Sequence, residues 1–168
     1  MYAVGDHVVY GTNGVCKVND IRSSPFDEND ARLFYVLAPI DSTSNLMIYT
    51  PTEGGNIILR DLVSVDEARR LFSLIPGIEC VSVPVEKKRR DVYRDTLNST
   101  NLEDYVRIIK TVARRRLDFK KSRRRLPDLD NDYEHTARTC LYGELADVLG
   151  MCRDEINRII NEIIEAEQ

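Results

Sequence analysis

The chain has 168 residues, of which 42% are hydrophobic and 31% charged, enough for one medium domain or two small ones with a real core. Six Pro, eight Gly and no repeated tract exclude a collagen-like or low-complexity chain, and no apolar run is long enough to span a membrane. Net charge is −4, which by itself points to no partner.

Residues 1–63 read as strands. Val4, Val8, Val9 and Tyr10 form a first short run, and Asn13-Gly14 supplies a turn. From Val15 to Ile21 apolar and polar residues alternate imperfectly, through Cys16, Val18 and Ile21. Residues 22–32 are polar and loop-like. Leu33 to Leu37 is an apolar run too short for a helix, and Leu46 to Tyr49 is a fourth run closed by Pro51. Gly54-Gly55 turns the chain into a fifth, Asn56 to Arg60. Five short strands at close spacing predict a small, strongly bent sheet or partly closed barrel.

Helix begins at Ser64, which forms a capping box with Glu67, and Pro76-Gly77 stops it. Residues 64–85 read as a linker carrying this short helix, with 78–83 extended. Residues 86–98 form a basic helix with Val92, Tyr93 and Leu97 inward. Thr100 and Glu103 suggest a second capping box. The helix beyond them places Leu102, Tyr105, Val106, Ile109, Val112, Ala113 and Leu117 on one stripe. After Pro127 a further helix carries Tyr133, Ala137, Cys140, Leu141, Leu145 and Val148 inward, with Gly150 as its C-cap. The last helix carries Ile156, Ile159, Ile160, Ile163 and Ile164. Residues 86–168 are therefore an all-α unit of about four to five helices.

Charge is unevenly divided. Residues 1–84 hold 6 basic and 11 acidic residues, residues 85–126 hold 15 and 6, and residues 127–168 hold 3 and 11. A block of net +9 inside an acidic chain is a field that attracts polyanions, unless the acidic tail balances it as a solvated helical face. The dense clusters are Lys87, Lys88, Arg89, Arg90 and Arg94, then Arg114 to Arg116, Lys120, Lys121 and Arg123, Arg124, Arg125. Cations at this density release counterions from a phosphate backbone without reading bases.

Enzyme machinery is not signalled. No phosphate loop or Gly-x-Ser-x-Gly elbow appears, and His7 and His135 stand in different halves. The acids Glu103, Asp104, Asp154 and Glu155 sit in first helical turns, where they complement the dipole. Asp128, Asp130 and Asp132 open like a calcium loop, but Tyr133 and Thr139 occupy its glycine and glutamate places. Four Cys (16, 80, 140, 152) without a CxxC pair argue against zinc and for reduced thiols in a cytoplasm. The start of the chain lacks a basic segment followed by an apolar stretch, so no signal peptide is expected. No metal, cofactor or small-molecule substrate is expected, and no membrane partner.

The segment VGDHVVYGTNGVCKVNDI (4–21) resembles the opening of the CarD/CdnL family of bacterial transcription regulators, VGD-x-VVYP-x-x-G-x-x-x-V-x-x-I. Gly11 stands where the family usually has Pro. YVL (35–37), RDLV (60–63), VARRR (112–116) and LYGELA (141–146) continue the resemblance in family order. It implies an α+β protein: a five-stranded Tudor/SH3-like β domain over residues 1–63, then the helical domain. The β domain would bind the β subunit of RNA polymerase, partly by strand addition, and the helices would contact promoter DNA and stabilise the open complex. Family members often carry a Trp at the start of the helical domain that wedges into the minor groove; here Val85 or Glu86 occupies that region. Ser24 and Tyr49 stand near places where the family has arginines for polymerase contact. The expected DNA contacts are Lys87, Lys88, Arg89, Arg90 and Arg94, with Arg123, Arg124 and Arg125 second. The expected polymerase contacts are Phe26, Phe34 and Tyr49. Two rival readings remain: a module that docks on polymerase without touching DNA, and a small RNA- or ribosome-binding protein.

Overall fold

The computed structural model describes residues 1–27 and 29–168, so Glu28, within the loop expected over 22–32, lies outside the described residues. The chain divides into two compact units, Met1–Leu62 and Val63–Gln168. Among the described residues no helix is long and apolar enough to cross a membrane.

The first unit is one antiparallel sheet of β1 (His7–Tyr10), β2 (Val15–Ser23), β3 (Leu33–Pro39), β4 (Ile48–Pro51) and β5 (Leu59–Asp61), in the order β4-β3-β2-β1-β5. Val8, Tyr10, Cys16, Val18, Tyr35 and Leu37 form its core. The imperfect alternation of β2 has a physical cause. Val18 pairs with Leu37 and Asp20 with Val36, so Asn19 is an extra residue in a bulge. That insertion resets the period of two and returns Ile21 to the core side beside Tyr35. Strand β2 also runs two residues into the expected loop, through Arg22 and Ser23.

The turn after β1 differs from a simple Asn-Gly hairpin. Gly11–Asn13 form one tight helical turn, Gly11 has φ +49° and Gly14 φ +70°, and the Gly11 N–H donates to the Ile58 carbonyl at 2.8 Å. Proline cannot adopt that φ or make that bond, which accounts for glycine at this position.

The second unit holds α1 (Val65–Leu74), α2 (Arg89–Asn98), α3 (Leu102–Lys121), α4 (Asp128–Leu149) and α5 (Arg153–Glu165). Its core takes Tyr93 and Leu97 from α2, Tyr105, Ile108, Ile109 and Val112 from α3, Leu141 and Leu145 from α4, and Ile156, Ile160 and Ile164 from α5. Each such side chain contributes roughly 1.5–3 kcal/mol through burial.

Residues 64–85 do more than connect. The Ser64–Glu67 capping box is formed, and α1 sends Ala68 and Leu71 into the same core as Ile75 and Ile78. Lys110 Nζ donates to the Ile75 carbonyl at 2.9 Å, and Val81 N–H donates to Thr111 Oγ1 at 2.7 Å. The segment expected as a linker is thus fastened along α3. At the start of α3 the cap is Asn101, whose side chain accepts from Glu103 N–H, while Thr100 is buried with φ +57°. The expected Thr100 box shifts by one because Thr100 is occupied in turning the chain. Gly150 closes α4 with φ +64°, as the pattern predicts.

Gly11→Pro, which installs the residue usual in the CarD/CdnL opening that residues 4–21 resemble, should destabilise the β unit by about 2–4 kcal/mol through the lost hydrogen bond and the forbidden φ. Amide exchange in the full chain should accelerate in β1 and β5 while the helical core stays protected.

Candidate functional site

On the β unit, Phe26 is 77% exposed and its ring meets Tyr49 edge-on, with centroids 5.7 Å apart. Ser24 Oγ positions it by accepting from the N–H groups of Phe26 and Asp27 at 3.2 and 3.3 Å. Tyr49 lies opposite Val36 on β3, and Phe34 opposite Pro51, so Phe34 and Tyr49 share one face of the sheet. Phe34 corrects the expectation: it is only 6% exposed and lies under the Arg32 guanidinium at 5.7 Å. Its ring supports this face rather than presenting itself to a partner.

Strand β4 is an edge of the sheet. Thr52 N–H bonds to the Leu33 carbonyl at 2.9 Å, and the register places Thr50 against Tyr35 and Ile48 against Leu37. Hydrogen-bonded pairs alternate in an antiparallel ladder, so Thr50 and Ile48 bond inward and Tyr49 and Pro51 face the open edge. Proline has no N–H. Within β4, Tyr49 therefore offers the edge both a donor and an acceptor, and Phe26 stands beside it.

In the helical unit the basic residues sort into two groups. One is internal. Glu86 accepts from Arg89 Nε and Nη2, both at 2.8 Å, and from Arg115 Nη2 at 3.2 Å. Arg89 Nη1 donates to the Tyr93 hydroxyl at 3.0 Å, which donates to Asp130 Oδ1 at 2.8 Å. Arg115 Nε donates to the same Oδ1 at 2.9 Å. Arg89 is 8% exposed, so burial and this network remove it from the surface expected to touch DNA. Arg116 pairs with Glu134, which also holds Arg138, and Arg138 reaches Asn157 and Asn161 on α5 at 3.1 and 3.0 Å. The acidic tail thus balances part of the basic block inside the fold.

The other group is open. Lys87, Lys88, Arg90, Arg114, Lys120, Lys121, Arg123 and Arg124 are exposed and pair with no carboxylate among the described residues. Arg94 is intermediate: it pairs with Asp91 at 3.1 Å and Asp95 at 3.3 Å. Arg125 pairs with Asp128 at 2.8 Å. These pairs are largely solvent-exposed, so each is worth at most ~1 kcal/mol and can yield to a phosphate. The Glu86–Arg115 contact brings the turn Glu86–Lys88 against α3, so the two clusters lie on neighbouring elements.

Sequence reasoning missed Glu86, Tyr93, Asp130 and Glu134 as a unit. A signal was present. Asp130 and Glu134 continue the inward stripe of Ala137 and Leu141 at spacings of three and four, and acids on a buried stripe require cations opposite them. Among the described residues, no three His, Cys, Asp or Glu side chains gather where they could hold a metal. A cleft of about 720 Å³ beside α3 mixes Lys110, Arg114 and Lys121 with Glu79, Asp118 and Glu167.

Residues 2–63 match the family model described as the CarD-like/TRCF RID domain. No curated protein matches the chain.

The Arg89 hydrogen bonds, with the Arg89 and Arg115 charges, hold Glu86 down at about 2. A depressed carboxyl stabilises the fold fully above its ordinary value of 4.5, and loses that contribution as pH falls from there through about 2. Glu86→Gln should therefore melt below the wild type at pH 7, with the gap closing as both are melted at successive pH values down to 2. A constant gap across that range would assign Glu86 no such role.

Proposed function

We propose, from the match of residues 2–63 to the CarD-like/TRCF RID domain model, a transcription regulator that interacts with RNA polymerase and has two points of contact. The β unit docks on the β subunit of RNA polymerase through the β4 edge, with Tyr49 and Phe26 at its centre. The helical unit lays its open cations on promoter DNA and changes the lifetime of the open complex. The protein acts by contact and not by catalysis, in the cytoplasm where the polymerase works.

The observation that carries this reading is the pair of exposed Phe26 and half-buried Tyr49 on an open sheet edge within the residues that match this family model. Strand addition uses such an edge for affinity and neighbouring side chains for specificity. DNA contact is supported by the cations left free after the internal pairs are formed. Once the β unit is bound, the helices meet DNA at roughly millimolar effective concentration, so weak phosphate contacts suffice.

The mode of DNA contact is charge and not stacking. Among the described residues the exposed large apolar side chains of the helical unit are Val65, Leu74, Val85 and Leu117, none of them aromatic. Among the described residues Phe72, Phe119 and Tyr133 of this unit are half-buried, so no fully exposed ring is offered for a base to stack on. Docking without DNA is the competing reading, favoured by the internal pairing of Arg89, Arg115 and Arg116.

Titration of the full chain against the β-lobe fragment of its polymerase tests the tether. Binding is expected, weakened about 5- to 30-fold by Phe26→Ala with unchanged melting; no binding overturns the proposal. On duplex DNA, affinity should fall steeply with salt. Joint Lys87→Glu, Lys88→Glu and Arg90→Glu should flatten the logarithmic salt slope by about 3. Affinity for DNA that ignores this triple change would favour docking alone.

A further inference from the structure

The turn between α3 and α4 is built to hold one arginine still. Helix α3 ends at Lys121, and Arg123 takes φ +54°, a left-handed conformation natural to glycine at this place and strained for arginine. The Arg124 N–H then donates to the Phe119 carbonyl at 2.8 Å. This fold-back sets the Arg124 guanidinium over the Phe119 ring, 4.6 Å from its centroid. Arg115 approaches the same ring at 5.3 Å.

The two arginines differ at their edges. The N–H groups of Arg115 are taken by Asp130 and Glu86. Arg124 is exposed, and the N–H groups of its guanidinium have no hydrogen bond or ion pair among the described residues. A guanidinium held over a ring, with its N–H groups unpaired, keeps a fork of donors available, and that fork matches two oxygens of one phosphate. Holding it in advance removes much of the side-chain entropy that binding would otherwise cost. Among the described residues no aromatic ring lies under the cation of Lys87, Lys88 or Arg90.

We propose that Arg124 is a pre-organised phosphate fork that sets the position of the helical unit on a nucleic-acid backbone, and that Phe119 is its positioning residue. The proposal rests on the DNA contact put forward above. Lys87, Lys88 and Arg90 supply charge around this fixed point, and Arg123 accepts backbone strain so that the fork can form.

The test measures affinity of the full chain for a duplex of arbitrary sequence across a salt series. Arg124→Lys keeps the charge and removes the fork; it should weaken binding about 3- to 10-fold at an unchanged salt slope. Phe119→Leu keeps the apolar bulk and removes the ring; it should behave the same way. Phe119→Tyr restores the ring and should bind as the wild type does. Arg124 is exposed, so its variant reports on the fork without touching the core that Phe119 partly joins. If Arg124→Lys and Phe119→Leu bind within 2-fold of wild type while charge reversal at 87, 88 and 90 abolishes binding, this inference falls and the DNA contact stands. If the wild type binds no duplex at all, both fall.

Discussion

Asp130 is fully buried, and taking a carboxylate out of water costs several kcal/mol unless a cation and hydrogen bonds replace the lost hydration. The helical unit supplies both, through the Tyr93 hydroxyl of α2 and Arg115 of α3. Much of the basic surface follows from this one requirement. Arg115 must turn inward to reach α4, and from there it also reaches Glu86. Glu86 then fastens Arg89, which covers Tyr93. With Glu86 held, Lys87 and Lys88 project from a turn fixed at both ends. With Arg115 held, its guanidinium lies near the Phe119 ring, over which Arg124 also stands. Tyr93 reports the same environment: burial first, then Asp130, pushes its hydroxyl up to about 12.

This explains which parts of the molecule could be read from its sequence. Apolar periodicity records burial directly, so the five strands and the stripes of α3, α4 and α5 stood out. Charge runs record only density. In Arg114-Arg115-Arg116 successive side chains diverge by about 100° around a helix, and nothing in the triplet says that two of them face acids. That information lies at 130 and 134, on another helix. The β2 bulge was visible only as a broken alternation, because one inserted residue leaves the composition unchanged. The cap at Asn101 was displaced for a related reason: Thr100 satisfies the pattern equally well, but the chain reversal after α2 places it in a buried left-handed position. Phe34 and Phe26 are both aromatics near one strand, and composition does not say that Phe34 within the strand is buried while Phe26 in the loop before it is exposed.

The places where the chain departs from the CarD/CdnL pattern it resembles are locally consistent with this structure. Gly11 replaces Pro where the backbone has a positive φ and donates a hydrogen bond. Around the place where the resemblance to that family would put a Trp, Glu86 is an ion-pair hub and Val85 is half-exposed. A carboxylate held by two arginines cannot intercalate between bases, and valine offers a far smaller apolar surface than an indole. A wedge acts by distorting a particular base step, so its effect depends on how deformable that step is. Phosphate contacts carry no such dependence. On the proposed reading, this protein's effect at a promoter depends on where the polymerase has placed it and on ionic strength, and only weakly on the bases beneath the helices. The β4 edge then becomes the source of selectivity, because docking on polymerase decides which DNA the fork at Arg124 can reach.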